Sequence, residues 1–261
     1  MKNVWLLLSI SIFLFSCGSE GDYSLDNSEG KEQIGKGGST TKFAIVGDFL
    51  YIVEHSTLKT LNISDPTNPE VIDEIVVSDE LETIFVYEQV GEDTVLLLGA
   101  QNGMHVFKIR SDGTPNNGDA IILAHQTSCD PVVANNGYAY VTLRSSETWG
   151  CSEGFNELHV MDISTIESPI KVGQSIKMEG PKGLSFSQDG NALLVCDKNS
   201  LKIYSLIDPV YPNEENEYRN IQCNDILQFE EHYILTGDSL LKVYSFDELL
   251  YEIKEEVDLL N

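Results

Sequence analysis

Residues 158–170 read "LHVMDISTIESPI", and this stretch recurs in the chain closely enough to decide the fold. Its order of apolar strand, polar turn and proline returns as "LKTLNISDPTNP" in residues 58–69 and as "LKIYSLIDP" in residues 201–209. Two further segments, "MHVFKI" from Met104 and "LKVYSF" from Leu241, align with these without gaps. Because all five segments have apolar side chains at positions 1, 4 and 6, they predict five copies of one structural unit.

Each copy is the third strand of a predicted four-stranded unit. Two apolar strands precede it, beginning in turn at Phe43 and Leu50, Ile84 and Val95, Pro131 and Tyr138, Gly183 and Ala192, and Ile226 and Tyr233. A weaker strand follows a Pro- or Asp-rich bend, around Val71, Ile121, Ile170, Tyr218 and Tyr251. In the last unit "DELLYEIKEEVDLL" also fits a short amphipathic helix, but its alignment with the other fourth strands favours a strand.

The spacing of these units predicts a β-propeller. The third strands begin at residues 58, 104, 158, 201 and 241, which lie 46, 54, 43 and 40 residues apart. Four short strands recurring every 40–45 residues or so are typical of a propeller blade, and an insertion at residues 144–156 explains the longest interval. We therefore predict an all-β fold of five four-stranded blades. The predicted blades are about residues 41–78, 81–124, 129–178, 180–221 and 222–257, followed by a tail at 258–261.

The stretch "LHVMDISTIESPIKVG" resembles the LVIVD repeat, in which an apolar strand leads into Asp-Ile-Ser and a proline-containing bend. The segments "CDPVVANNGYAYVTLRSS", "MEGPKGLSF" and "LLVCDKNSLKIYSLIDP" are similar to corresponding parts of bacterial LVIVD-repeat surface lipoproteins. The resemblance extends over roughly residues 41–257. It implies a β-propeller, in a family whose members mostly have no assigned activity.

The N-terminus has the features of an export signal. Lys2 precedes a 12-residue apolar run, Val4 to Phe15, which is shorter than the roughly 20 residues that a membrane-spanning helix needs. The run ends in "LFSC", which resembles the lipobox of bacterial lipoproteins. The resemblance implies that residues 1–16 are removed and that Cys17 is acylated. An ordinary secreted protein with an incidental cysteine is the alternative.

Residues 17–40 are rich in Gly, Ser and acidic side chains and poor in apolar ones, so we predict a flexible tether. The "SEGD" of residues 19–22 resembles signals that send some lipoproteins to the outer face of the outer membrane. We therefore expect an exported protein that is held by lipid at the bacterial outer membrane and is exposed at the cell surface.

The charge of the chain limits its partners. It has 42 acidic and 16 basic residues, a formal net charge of −26. Such a surface repels the phosphates of nucleic acids, so nucleic-acid binding is disfavoured, and contact with anionic lipid is expected only through the anchor. Cations, basic proteins and neutral glycans are the favoured partners, although acidity also serves solubility alone.

Four cysteines follow Cys17, and an even number in an exported protein indicates disulfides. Cys129 begins the third blade and Cys151 lies in its insertion, so we favour the pair Cys129–Cys151. Cys196 then pairs with Cys223 by elimination. A Cys129–Cys223 pairing is the rival, because both cysteines open an inner strand, and buried free thiols are the remaining alternative.

No motif in the sequence points to a cofactor or to a metal. The histidines are scattered, and His105 and His159 occupy a strand position that is Lys in the other three copies, so we expect both to face solvent. Cys-x-x-Cys, Gly-x-Ser-x-Gly and His-Glu-x-x-His are absent from the sequence. We therefore predict no cofactor and no metal site. Calcium enters only through a third functional reading, a cation-dependent adhesive module.

Five charged side chains are candidates for a ligand site, because propellers gather the starts of their inner strands at one mouth of the central channel. Asp130, Lys182 and Asp225 lie near such starts, and Arg144 and Asp197 follow second strands. Acidic and basic groups in one mouth can bind a polar ligand. Alternatively, they cap strand ends and pair with each other.

Anchor, tether and repeats together favour a monomeric, non-catalytic binding or scaffold module with a glycan or a protein as its ligand. The alternative from another class is an exported hydrolase or lyase acting on carbohydrates or small esters. In that case carboxylates at the mouth, such as Asp130 and Asp225, serve as acid and base.

Overall fold

The computed structural model describes residues 34–35, 38–77, 80–88, 94–100, 103–116, 121–124, 131–145, 156–239 and 241–245. All of them belong to one compact unit, Glu32–Asn261. Their regular structure is entirely β, with twenty strands in five antiparallel sheets that form a ring. The predicted five-bladed β-propeller is thereby confirmed. No helix within the described ranges has the length and apolar character needed to cross a membrane.

The sheets are called blades one to five and consist of consecutive strands. Blade one contains β1 (Ile34–Gly35), β2 (Phe43–Val46), β3 (Phe49–Glu54), β4 (Thr57–Asn62) and β5 (Glu70–Val76). Blade two contains β6 (Leu81–Tyr87), β7 (Val95–Ala100), β8 (Gly103–Lys108) and β9 (Ile121–Ala124). Blade three contains β10 (Val132–Asn135), β11 (Tyr138–Leu143), β12 (Glu157–Asp162) and β13 (Ile170–Lys177). Blade four contains β14 (Pro181–Phe186), β15 (Ala192–Asp197), β16 (Ser200–Ser205) and β17 (Asn213–Arg219). Blade five contains β18 (Asp225–Phe229), β19 (His232–Thr236) and β20 (Leu241–Ser245).

The turn between β10 and β11 shows how the sequence sets these hairpins. Asn135 pairs with Tyr138, which leaves Asn136 and Gly137 as a two-residue loop. Both loop residues have positive φ, 49° and 82°. Asn-Gly is the pair that tolerates this backbone best, and such a loop matches the right-handed twist of the two strands. The register of the hairpin is therefore fixed by the "NNG" of the sequence.

Four apolar clusters fill the four junctions between successive blades, from blade one to blade five. Representative members are Tyr51 with Phe107, Leu97 with Val141, Tyr140 with Leu193, and Ile203 with Tyr233. The second strands of blades two, three and four are buried almost throughout, on both faces. Blades two to four are thus packed between two neighbours, as the repeat predicts.

Blades one and five are buried differently from the other three. In β3 and β19 buried residues alternate with half-buried or exposed ones, so each of these strands has one well-covered face. The covered face of blade one packs on blade two, and that of blade five packs on blade four. The junction between blade five and blade one therefore requires another kind of contact, which the N-terminal segment provides.

Residues 38–41 (the N-terminal latch) join the two ends of the ring. Ser39 and Thr40 donate hydrogen bonds from their hydroxyls to the carboxylate of Asp225 in blade five. Thr41 accepts a backbone hydrogen bond from Ile84 in blade two. Upstream, β1 pairs with β2 on the inner edge of blade one. β1 and most of the latch therefore lie within residues 17–40, the segment that the sequence predicts to be a flexible tether.

Buried tyrosine hydroxyls reinforce the junctions between successive blades. Each hydroxyl forms a hydrogen bond with a backbone group of the adjacent blade, and such a bond satisfies a polar group that burial removes from water. These bonds are Tyr51 to the Gly113 carbonyl (2.7 Å), the Gly137 amide to Tyr87 (2.8 Å), Tyr140 to the Pro209 carbonyl (3.1 Å) and the Gln188 amide to Tyr233 (3.0 Å).

One predicted disulfide is confirmed. Cys196 of blade four is bonded to Cys223, which precedes the inner strand of blade five, and their Cα atoms are 5.2 Å apart. This bond excludes the rival Cys129–Cys223 pairing. Cys129, Cys151, Cys17 and the predicted fourth strand around Tyr251 lie outside the described residues, so what the sequence indicates for them stays a prediction.

Candidate functional site

The carboxylate of Asp225 lies where the latch meets blade five, and three hydrogen bonds hold it. Its Oδ1 accepts hydrogen bonds from the Ser39 hydroxyl (3.0 Å) and the Ile226 amide (2.9 Å), and its Oδ2 accepts one from Thr40 (2.6 Å). Burial raises the pKa of Asp225 above its ordinary value, and the hydrogen bonds from Thr40, Ile226 and Ser39 oppose this rise. The Ser39 hydroxyl also accepts a hydrogen bond from the Leu184 amide (2.7 Å), so Ser39 connects Asp225 to blade four.

Two glycines make room for the Asp225 side chain. A methyl group at Gly38 would lie 2.3 Å from Asp225 Oδ2. A methyl group at Gly183 would lie 2.0 Å from Oδ1 and 2.6 Å from the Asp225 Cα. Because non-bonded carbon and oxygen atoms require more than 3 Å or so, any larger residue at these positions would displace the latch or blade five.

A cavity of about 670 Å³ opens where the inner strands of blades two to five begin. We call it the ionic mouth, because its lining includes the basic side chains Lys42, Arg144 and Lys182 and the acidic side chains of Glu80, Glu82, Asp225 and Asp238. Blades one, three and four each supply one of the three basic groups. The chain has only 16 basic residues, and three of them line this one cavity, which makes it a candidate ligand site.

A polar chain fixes one side of the ionic mouth. Lys182 Nζ donates to the side-chain oxygen of Asn224, and Asn224 Nδ2 donates to Asp238 Oδ1 at 2.7 Å. Asn224 also accepts the Gly183 amide through its backbone carbonyl at 3.0 Å. Lys182 is therefore held in place, whereas Lys42 is exposed and has no ion pair with any residue in the described part of the chain.

Three of the five predicted site residues meet at the ionic mouth. Arg144, Lys182 and Asp225 line it together. Asp130 lies outside the described residues, so its distance from Asp225 is not defined. The sequence analysis did not identify Lys42 or the latch as part of the site. Lys42 could have been found from its position, because it precedes the first inner strand just as Lys182 lies at the start of the fourth.

The fifth predicted site residue, Asp197, lies outside the linings of the channel cavities. Its buried carboxylate accepts hydrogen bonds from the Glu179 amide (3.0 Å) and the Gly180 amide (2.7 Å) and pairs with Lys202 Nζ at 3.1 Å. These contacts fix the turn that leads into β14, and they fit the alternative in which a charged group caps a strand end.

A second cavity, of about 630 Å³, opens where the inner strands of blades two to five end. We call it the aromatic mouth, because Phe43, Phe85 and Phe186 line it together with amide side chains on the hairpin turns. Ser39 and Thr41 of the latch line this cavity, whereas Thr40 lines the ionic mouth. The latch therefore lies between the two mouths and contributes to the lining of both. The mouths themselves lie at opposite ends of the inner strands.

The predicted exposure of two histidines is wrong. His105 is only 1 % exposed in β8, because blade two is covered on both faces. The side chain of His159 is 12 % exposed and lies 2.7 Å from Glu157 Oε2, within a polar cluster that includes Lys171 and Ser175. Burial acts to raise the pKa of Glu157, but the bonds from His159 and Ser175 and the charge of Lys171 lower it overall.

Among the described residues no group of three or more His, Cys, Asp or Glu is arranged to hold a metal ion.

Comparison with known proteins supports the architecture. Residues 37–75 match the LVIVD repeat, a segment that spans the latch and most of blade one. No curated protein sequence matches the chain significantly. The repeat expected from the sequence is thereby shown for one segment.

Several solved structures share the fold at low sequence identity. A candidate 6-phosphogluconolactonase from Bacteroides fragilis has a TM-score of 0.60 and 11 % identity, over 78 % of this chain and 65 % of that one. A Lactobacillus plantarum protein has a TM-score of 0.60 and 12 % identity, over 77 % and 69 %. The periplasmic gluconolactonase of Pseudomonas aeruginosa has a TM-score of 0.59 and 13 % identity, over 76 % and 63 %. The chain thus spans less than two thirds of the length of the two lactonases, and the likeness concerns the fold alone.

Proposed function

We propose that this propeller is a non-catalytic binding module that takes an anionic polar ligand at the ionic mouth. The observation that carries the proposal is the convergence of Lys42, Arg144 and Lys182, from three blades, on one cavity. Arg144 is half-buried, and a guanidinium in such a site recognises carboxylate or phosphate through paired hydrogen bonds.

The acidic groups of the same cavity define the ligand further. Glu80, Glu82 and Asp238 line it beside the basic groups, and they would repel a ligand that carries only negative charge. A ligand with an anionic group together with hydroxyl or amino donors satisfies both sets. Sugar acids and short acidic peptides with a free amino terminus are of this kind.

The location proposed for this module is the outer face of the cell. Its support comes from the sequence: the apolar run ending at Phe15, the lipobox-like "LFSC" and the Gly- and Ser-rich segment after Cys17. An acylated Cys17 with more than one chain would hold the protein stably at a membrane. Palmitate labelling of Cys17, lost in Cys17→Ala, would support the anchor, and labelling unchanged in that variant would contradict it.

Binding at the ionic mouth can be tested by calorimetry on the protein as cells produce it, purified in a zwitterionic detergent. The probes are D-glucuronate and a Glu-rich hexapeptide with a free amino terminus, and inorganic phosphate, which lacks the additional donors, is the comparison ligand expected to bind more weakly. We expect at least one to bind, with affinity falling about ten-fold or more in Arg144→Ala, which corresponds to roughly 1.4 kcal/mol. Lys177→Ala, an exposed lysine of β13 away from the cavity, should leave the affinity within about two-fold. No binding by any probe, or equal loss in both variants, would contradict the proposal.

A second candidate function is an exported hydrolase or lyase for carbohydrates or small esters. Asp225 favours it, because a carboxyl group whose pKa is raised by burial at a cavity resembles a general acid. Against it, the described contacts use both oxygens of this carboxylate to hold the latch. Turnover of lactones, p-nitrophenyl esters or glycosides that is lost in Asp225→Asn would establish this candidate over the binding module.

A further inference from the structure

The aromatic mouth is chemically unlike the ionic mouth. Among its described lining residues there is no Lys, Arg or His, and Glu88 and Asp189 are the acidic ones. It combines phenyl rings with the amide side chains of Asn135, Gln188 and Gln228. The two ends of one channel therefore present different chemistry to solvent.

The rings of the aromatic mouth differ in exposure. Phe43 is 55 % exposed although it lies on the inner strand of blade one. Phe186 is half-buried, and Tyr140 packs against it edge-on, with ring centroids 5.7 Å apart and an interplanar angle of 76°. The perpendicular contact with Tyr140 and packing on the apolar cluster between blades three and four hold the orientation of the Phe186 ring. Exposed aromatic rings inside a concave cavity are a common feature of ligand-binding grooves.

Two of the amides of this mouth, Gln188 and Asn135, lie on or next to hairpin turns that hydrogen bonds between blades hold in place. The Gln188 backbone amide donates to the buried Tyr233 hydroxyl at 3.0 Å, while the Gln188 side chain is exposed. On the turn of blade three, Gly137 is held by Tyr87 at 2.8 Å beside Asn135. Amide side chains both donate and accept hydrogen bonds, so they match a ligand whose hydroxyls also do both.

We propose that the aromatic mouth binds a neutral saccharide, with sugar rings stacked on Phe43 and Phe186 and hydroxyls bonded to the amides. Stacking uses the apolar C–H face of a sugar, and the hydroxyl rim requires paired donors and acceptors. A neutral ligand is favoured because the cavity lacks basic groups among its described residues and the chain carries a net charge of −26. This site does not depend on binding at the ionic mouth.

The test is calorimetry on the protein as cells produce it, in a zwitterionic detergent without a sugar headgroup, with maltohexaose, cellohexaose, mannohexaose and chitohexaose as probes. We expect at least one to bind, and Phe43→Ala and Gln188→Ala each to lower its affinity about five- to ten-fold, as stacking and amide bonds of roughly 1 kcal/mol require. Phe229→Ala is the matched control, since Phe229 is equally exposed at 55 % but lies outside the lining. It should change the affinity less than about two-fold.

The proposal fails if none of the four probes binds at about 10 mM to folded protein, a concentration that detects even weak lectin-type binding. It also fails if Phe43→Ala and Phe229→Ala have the same effect. Arg144→Ala separates the two mouths: it should leave saccharide affinity unchanged, and a parallel loss of saccharide and anion binding would contradict a separate site.

Discussion

The Ser39 hydroxyl donates a 3.0 Å hydrogen bond to Oδ1 of Asp225, which lies 186 residues later in the chain. The same hydroxyl accepts the Leu184 amide at 2.7 Å. Through the side chain of Ser39, which is only 2 % exposed, the latch between β1 and β2 of blade one is therefore bonded to blades four and five. This centre completes the ring and separates the ionic mouth from the aromatic mouth.

Gly38 and Gly183, which make room for Asp225 and are called the glycine cradle, predict unequal losses of stability for two glycine substitutions. Gly183→Ala should destabilise the fold by about 3 kcal/mol or more, because its methyl group would overlap the Asp225 main chain and carboxylate. Gly47→Ala is the control: Gly47 has φ +54° but open space around it, so it should cost only about 1 kcal/mol of backbone strain. Chemical denaturation measures both free energies of unfolding, and equal losses would contradict the cradle.

The tyrosine hydroxyls between blades predict a second contrast. Tyr87→Phe removes the acceptor of the buried Gly137 amide, so it should lower stability by about 1–3 kcal/mol. Tyr211→Phe, at a tyrosine that is 60 % exposed, should change it by less than about 0.5 kcal/mol. Thermal unfolding followed by circular dichroism compares them. A Tyr87→Phe variant as stable as the natural chain would show that the hydroxyl contributes nothing to the junction.

Loss of the Cys196–Cys223 bond should destabilise the packing of blade five on blade four. The bond spans 27 residues, for which loop entropy gives about 3–4 kcal/mol. We expect Cys196→Ala/Cys223→Ala to show this loss in denaturation. In a Cys129→Ala/Cys151→Ala chain, a reducing agent should still lower the melting temperature, since the bond between blades four and five remains to be broken. No effect of the reducing agent there would contradict this role.

The buried carboxylate of Asp225 predicts a pH dependence of stability. Burial raises its folded pKa above the ordinary 3.8, so the folded chain binds this proton more tightly than the unfolded chain. The resulting stabilisation is fully present below pH 3.8 or so and is lost as pH rises through the folded pKa.

Asp225→Asn keeps the shape of the side chain without this titration. The stability of the natural chain relative to Asp225→Asn should therefore fall as pH rises from about 3.5 and then level off. Urea denaturation of both proteins between about pH 3 and 7 measures the difference. A difference that grows with pH would show that the charged carboxylate is favoured by its surroundings instead.

The blades could be predicted from sequence because each repeats one pattern, and four of five junctions follow from burying both faces of a sheet. The latch could not. Residues 38–41 read Gly-Ser-Thr-Thr, a composition typical of linkers, and their value lies in small hydroxyls that reach a carboxylate 185 or 186 residues away. Contacts outside the repeat leave no periodic signal.

The site was predictable in part for a similar reason. Propeller geometry brings strand starts together, and this places Arg144, Lys182 and Asp225 at one mouth. It does not decide where a side chain points, and Asp197 turns to the amides of Glu179 and Gly180. The aromatic mouth was missed because Phe43 and Phe186 resemble ordinary core residues of a strand, and only the structure shows the exposed fraction of each.

The central claim is that the latch closes the ring through Asp225, and a double-mutant cycle of Ser39→Ala and Asp225→Ala tests it most directly. Free energies of unfolding are measured for the natural chain, both single variants and the double variant. We predict a coupling energy of about 1–3 kcal/mol, as expected for a buried hydrogen bond to a carboxylate. Effects that add within about 0.5 kcal/mol would contradict the claim.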